Sequence, residues 1–133
     1  MKNIIFFVFI FFLYGCGAKN ECHPKIEKAS SWVNLMPKIG YKSASPLVTI
    51  KAYIKTKNCK NLKVLTAKAM FKNRVCEINN IDYEKNNQTL IVTLRGCRYE
   101  KDDKKLNLKL IFVDKYKNNH PILVRNLIIR KIY

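Results

Sequence analysis

Apolar and polar positions alternate over most of the chain from residue 46 onward, and this alternation predicts β-strands. The clearest stretch is Pro46 to Lys57. Val48, Ile50, Ala52 and Ile54 fall on one face, and Thr49, Lys51, Tyr53 and Lys55 on the other. An aliphatic inner face with a lysine-rich outer one is the pattern of a strand buried on one side. Asn58 to Asn61 then supplies turn residues. A second strand is expected over Leu62 to Phe71. Its inward set begins with Leu62 and Val64 and shifts to Leu65, Ala67, Ala69 and Phe71, which predicts a bulge near Val64. Val75 to Tyr83 reads as a third, less regular strand. Glu84 to Gln88 follows as a turn, where Asn86 and Asn87 tolerate left-handed geometry. Leu90, Val92 and Leu94 mark the inward face of a fourth strand over 89–95. Leu106, Leu108, Leu110 and Phe112 mark a fifth. The charged stretch Tyr99 to Lys105 between them reads as a solvated loop. Lys117 to Asn119 is another turn. Ile122 to Ile132 is a long last strand with a break of phase around Arg125 and Asn126.

The segment ahead of these strands is ambiguous. Ile26, Ala29, Val33 and Met36 recur at helical spacing, with Pro24 suited to a first turn and Pro37 to a stop. Ser31 to Leu35 also alternates. A short helix or irregular packing segment is slightly favoured, with Trp32 sealing one end of the core. The strands recur at intervals of roughly ten to fifteen residues, and no long helix is available for parallel crossovers. The expected fold is therefore all-β, an antiparallel sandwich of about seven strands or a small antiparallel barrel. Strand count and length resemble an immunoglobulin-like β-sandwich. The Cys…Trp…Cys order of immunoglobulin domains is absent, so the resemblance implies architecture and no functional residues.

The N-terminus speaks about compartment. Met1 to Asn3 is short and basic, and Ile4 to Leu13 is uninterrupted apolar sequence. That run is too short to span a bilayer, where about twenty residues are wanted, and suits the core of a secretory signal. Leu13-Tyr14-Gly15-Cys16 follows and resembles a bacterial lipobox. The resemblance implies that residues 1–15 are a cleaved signal peptide and that Cys16 is lipid-modified as the new first residue. Residues 16–21 would be a tether and 22–133 a single β-domain. Gly17, in place of Asp, implies the outer membrane by analogy with enteric lipoprotein sorting. Several acyl chains anchor a protein firmly where one is marginal.

With Cys16 assigned to lipid, Cys22, Cys59, Cys76 and Cys97 remain. An even number in a small exported domain reads as two disulfides, and sequence alone allows three connectivities. Cys76 and Cys97 sit near the open end of the hairpin that turns at 85–87, which favours pairing them. A parity mismatch of one residue then requires a bulge. Cys22 with Cys59 follows. Each bridge contributes about 2–4 kcal/mol. A metal reading fares worse. Cys22 and His23 are adjacent, His120 is the other histidine, and no C-x-x-C or H-x₃-H spacing occurs.

No nucleophile elbow, phosphate loop or H-E-x-x-H motif is present, so neither catalysis nor a cofactor is expected. The remaining signal is charge. Lys and Arg number 26 against 9 Asp and Glu, a formal +17. Outward lysines keep a β-protein soluble and blunt edge pairing. They also attract acidic partners. The basic last strand, with Arg125, Arg130 and Lys131, is the candidate partner-binding segment. The leading expectation is a lipid-anchored, non-catalytic binding or structural module of the bacterial envelope, exposed to periplasm or surface. Its partner would be an envelope protein or anionic surface rather than nucleic acid. The alternatives are a binder of anionic envelope polymers and a periplasmic inhibitor resembling small lysozyme inhibitors. Lysozymes are commonly basic, so an inhibitor this basic would have to use its one acidic stretch, Glu100 to Asp103.

Overall fold

The computed structural model describes residues 22–36 and 46–133. The expected signal peptide, the lipidation cysteine Cys16 and the tether lie outside the described residues. Eight strands form: β1 (Lys25–Asn34), β2 (Leu47–Lys55), β3 (Lys63–Met70), β4 (Val75–Glu77), β5 (Asn80–Asn86), β6 (Thr89–Arg98), β7 (Lys105–Val113) and β8 (Asn119–Ile132). They make one continuous sheet in the order β4-β3-β7-β8-β1-β2-β6-β5, curled into a half-barrel. The all-β expectation holds, but a single sheet stands in place of the two that a sandwich requires.

Period-two burial builds the core. On β2, Val48, Ile50, Ala52 and Ile54 are all buried, as the alternation predicts. Leu90, Val92 and Leu94 from β6 meet Leu106, Leu108, Leu110 and Phe112 from β7 inside the curl. Each buried aliphatic side chain is worth about 1.5–3 kcal/mol relative to exposure.

Two expectations are corrected. The segment favoured as helical is β1, an extended strand between β2 and β8. Ladder partners on both sides outweigh a marginal local preference for helix. Its inward set includes Ser31, which is buried because its hydroxyl donates to the Ile128 carbonyl at 2.9 Å. Trp32 accordingly points away from the core interior rather than sealing its end. The sheet is also mixed, because β1 and β8 pair in parallel while every other pair is antiparallel. Parallel neighbours need a long connection, and nearly the whole domain separates these two.

The third expected strand divides. β4 pairs with β3 and β5 with β6, so consecutive strands form the two edges of the sheet. Among the contacts that lace this seam, the Arg74 guanidinium just before β4 donates to the Arg98 carbonyl of β6, and three others follow. Cys76 on β4 is disulfide-bonded to Cys97 on β6, the Ile78 amide donates to the Ala67 carbonyl at 2.9 Å, and the Val64 amide donates to the Tyr83 hydroxyl at 2.9 Å. The required bulge is present at Gly96 (φ +135°), where the β2–β6 register shifts and turns Cys97 inward. A positive φ of this kind suits glycine. The second bridge joins Cys22 to Cys59 in the β2–β3 connection. The predicted irregularities also occur in β3, between Val64 and Thr66, and in β8, where Asn126 adopts φ 56°. Leu65 departs from its expected place, since the bulge leaves it 56% exposed.

Candidate functional site

The outer surface of the sheet carries the most distinctive chemistry. The ladder registers place Arg95, Thr49, Trp32 and Arg130 in one row across β6, β2, β1 and β8. Leu47, half exposed, lies opposite Arg98 one row away, and Ile128 on β8 is 69% exposed. On the neighbouring rows Lys28 places its ammonium 4.4 Å from the centre of the Tyr53 ring, and Lys51 lies 5.5 Å from the same ring. An aromatic face attracts a cation without cancelling its charge. β2, β6 and β8 contain no acidic residue, and β1 contains only Glu27. The positive potential of this face is therefore not compensated within these strands.

A groove of about 770 Å³ opens where the β8 bulge meets the end of β3. Met70, Phe71 and Leu106 supply apolar lining, and Lys72, Lys104 and Lys105 supply positive charge that Asp102 and Asp103, also in the lining, offset in part. The bulge is clamped by the Asn126 amide donating to Asn107 Oδ1 at 2.8 Å. An ion pair fixes the end of the groove. Arg74 donates to both carboxylate oxygens of Asp103, at 2.9 and 2.6 Å, and its guanidinium lies 4.0 Å from the Phe71 ring centre. The Arg74 hydrogen bond holds the Asp103 carboxyl below its ordinary value, and the same bond raises Arg74. Asp103 also accepts the Glu100 amide at 2.8 Å. The acidic stretch Glu100 to Asp103 thus has its last carboxylate buried and committed internally, leaving Glu100 and Asp102 exposed.

The three basic residues expected to act together on β8 are not brought together. Arg130 belongs to the Trp32 row. Lys131 has the opposite parity, opposite Val33, and its ammonium is raised by a hydrogen bond with the Tyr99 hydroxyl. Arg125 lies beside the bulge, five residues and roughly 15 Å along the strand from Arg130.

A third cluster sits at the opposite end of β1 from the Trp32 row. Asp114, buried in the β7–β8 turn, accepts the Tyr116 and Asn118 amides through Oδ1 at 2.8 and 3.0 Å. Its Oδ2 lies 2.8 Å from His120 Nε2. The His120 hydrogen bond, with the two amides, holds the Asp114 carboxyl below its ordinary value. Cys22 packs against the pair, its sulfur within 4.8 Å of a ligating atom of each. The spacing argument did not find this cluster because Cys22 is far in sequence from Asp114 and His120. Trp32 was expected at one end of the core instead of in the Arg95–Arg130 row, and the Asn107–Asn126 clamp was missed, since in both cases the neighbours come from other strands. No family model matches the chain, and no curated protein matches it in sequence.

Proposed function

We propose that this protein is a lipid-anchored, non-catalytic module of the bacterial envelope that binds an acidic protein partner through the outer face of β6, β2, β1 and β8. The observation that carries the reading is the Arg95–Thr49–Trp32–Arg130 row on strands almost free of carboxylates. A half-buried tryptophan with Arg130 beside it and Arg95 two strands away is the composition of an interface centre, where tryptophan and arginine dominate binding energy. Two disulfides favour an oxidising compartment. The lipobox-like Leu13-Tyr14-Gly15-Cys16 favours attachment of the domain to a membrane through Cys16. The commitment of Asp103 to Arg74 counts against an inhibitor that inserts an acidic loop.

The test is a crosslinked pull-down from membranes, comparing the wild type, Cys16→Ala and the charge-reversed pair Arg95→Glu with Arg130→Glu. Recovery of one envelope protein by the wild type, lost on charge reversal and reduced without the lipid, is the expected result. Equal recovery by the charge-reversed protein overturns the face as the binding surface. The lysine-lined groove favours a second reading, capture of a compact anionic group of an envelope polymer. In that case lipid or polysaccharide, and no protein, is recovered and released by salt.

A further inference from the structure

Cys22, Asp114 and His120 come from three parts of the chain: the segment before β1, the β7–β8 turn and the beginning of β8. Their sulfur, oxygen and nitrogen ligating atoms all lie within 4.8 Å of one another. Cys59 is disulfide-bonded to Cys22. We propose that, once this disulfide is reduced, Cys22, Cys59, Asp114 and His120 form a binding site for a thiophilic divalent cation of the zinc class.

The donor set is the first support. Two thiolates, an imidazole and a carboxylate are ligand types that zinc accepts in tetrahedral sites. Geometry is the second. Zinc–ligand distances of about 2.0–2.3 Å put neighbouring donors roughly 3.3–3.8 Å apart. Reaching that spacing brings the Cys22 sulfur in by roughly an ångström, opens the Asp114–His120 pair by less than that, and requires the two sulfurs to separate once their bond is reduced. Positioning is the third. Asp114 is held by the Tyr116 and Asn118 amides through the oxygen that does not face His120. The facing oxygen and His120 Nε2 are already 2.8 Å apart, so a cation takes the place of the proton between them. Asp114 is buried and His120 is mostly so, which keeps competing water low while leaving a path for entry.

The chemistry balances in two steps. A dithiol reductant of the envelope gives two electrons and two protons to the Cys22–Cys59 bond and is itself oxidised to a disulfide. The two cysteine thiols then release two protons as the divalent cation binds both sulfurs. The consequence is structural. The junction that ties the chain before β1 to the β2–β3 connection has two alternative closures, covalent under oxidising conditions and metal-mediated under reducing ones. This inference is independent of the acidic-partner reading.

The experiment is titration of the full-length protein with cobalt(II) after complete reduction, followed by displacement with zinc. The expected result is one equivalent bound, with sulfur-to-cobalt charge-transfer bands and the intensified visible bands of a tetrahedral site. The oxidised protein gives neither band. His120→Ala and Asp114→Ala each weaken binding at least tenfold, consistent with loss of a ligand. Reduction also frees Cys76 and Cys97, so undiminished binding in His120→Ala assigns the metal to other thiols and overturns the proposal. Absence of charge transfer in the reduced wild type overturns it as well. Zinc is also expected to raise the melting temperature of the reduced wild type and leave that of reduced His120→Ala unchanged. A reduced chain that zinc neither binds nor stabilises contradicts the site even if reduction has loosened the fold.

Discussion

Asp103 and Asp114 are carboxylates placed where few of the chain's 9 acidic residues are, at buried positions. Each is held in its charged form by a specific partner, Arg74 for Asp103 and His120 for Asp114. A carboxyl whose folded pKa lies below its unfolded value contributes stability in full above the unfolded value, about 3.9. That contribution is given up as pH falls through the folded value. Unfolding midpoints in urea are therefore expected to stay level near neutrality and to fall progressively below about pH 4. Asp103→Asn, which keeps the shape but not the charge, lowers the neutral midpoint and makes the acid decline shallower. A decline as steep as that of the wild type removes Asp103 from the explanation. Arg74, Asp103 and Glu100 are individually unremarkable in the sequence. Their meeting depends on how the β3–β4 turn and the β6–β7 loop stack, which no local spacing reports.

β1 is the element on which local pattern and tertiary placement disagree. Its apolar residues fit a helix about as well as a strand, and its inward face carries Ser31, whose hydroxyl is satisfied only by the Ile128 carbonyl of β8. Trp32 consequently faces outward. Trp32→Ala is expected to cost about 1–2 kcal/mol, less than the 3–5 kcal/mol typical of a core tryptophan, while abolishing partner recovery. A loss of core size in chemical denaturation places the ring inside and contradicts this assignment. β2, β6 and β7 present no such conflict. In β2 and β7 buried and more exposed positions alternate, so period two is written directly into their residues, and β6 follows it except at buried Ile91 and at the Gly96 bulge. The seam between β4 and β5 is the weakest join among the described strands, because β4 is three residues long and no continuous ladder, only isolated contacts, carries the closure. Replacing Cys76 and Cys97 together by serine is expected to lower stability by about 2–4 kcal/mol. Hydrogen exchange should accelerate in β5 well before β2. Uniform acceleration across the sheet implies instead that the bridge acts only through the unfolded chain.

At the scale of the whole molecule, charge and curl act together. The sheet buries its aliphatic face inside the half-barrel and turns a lysine- and arginine-bearing face outward, with the acidic side chains of the described residues, apart from Glu27 of β1, on β4, β5 and the turns. Charges on such a face are screened over roughly 8–10 Å at physiological ionic strength. Recovery of the partner on the proposed face is thus expected to fall with added salt in the wild type and to be absent at every salt concentration in the Arg95→Glu, Arg130→Glu protein. By itself the sequence determined that the domain is built of strands, because burial on one side imposes alternation. It also determined where β3 and β8 break phase, because an extra residue reverses parity, while the bulge at Gly96 in β6 was placed only by the structure. The even cysteine count pointed to two bridges with three connectivities open, and the position of Cys76 and Cys97 near the open end of a hairpin favoured the pairing found, Cys22–Cys59 and Cys76–Cys97. Tertiary structure alone decided that β1 and β8 run parallel and that one sheet curls instead of two stacking. It also decided that Arg130 joins Trp32 while Lys131 and Arg125 do not, and that Cys22 meets His120 and Asp114. Each of these is a contact between segments distant in sequence, and alternation records only which side of a strand is buried, never which strand lies beside it.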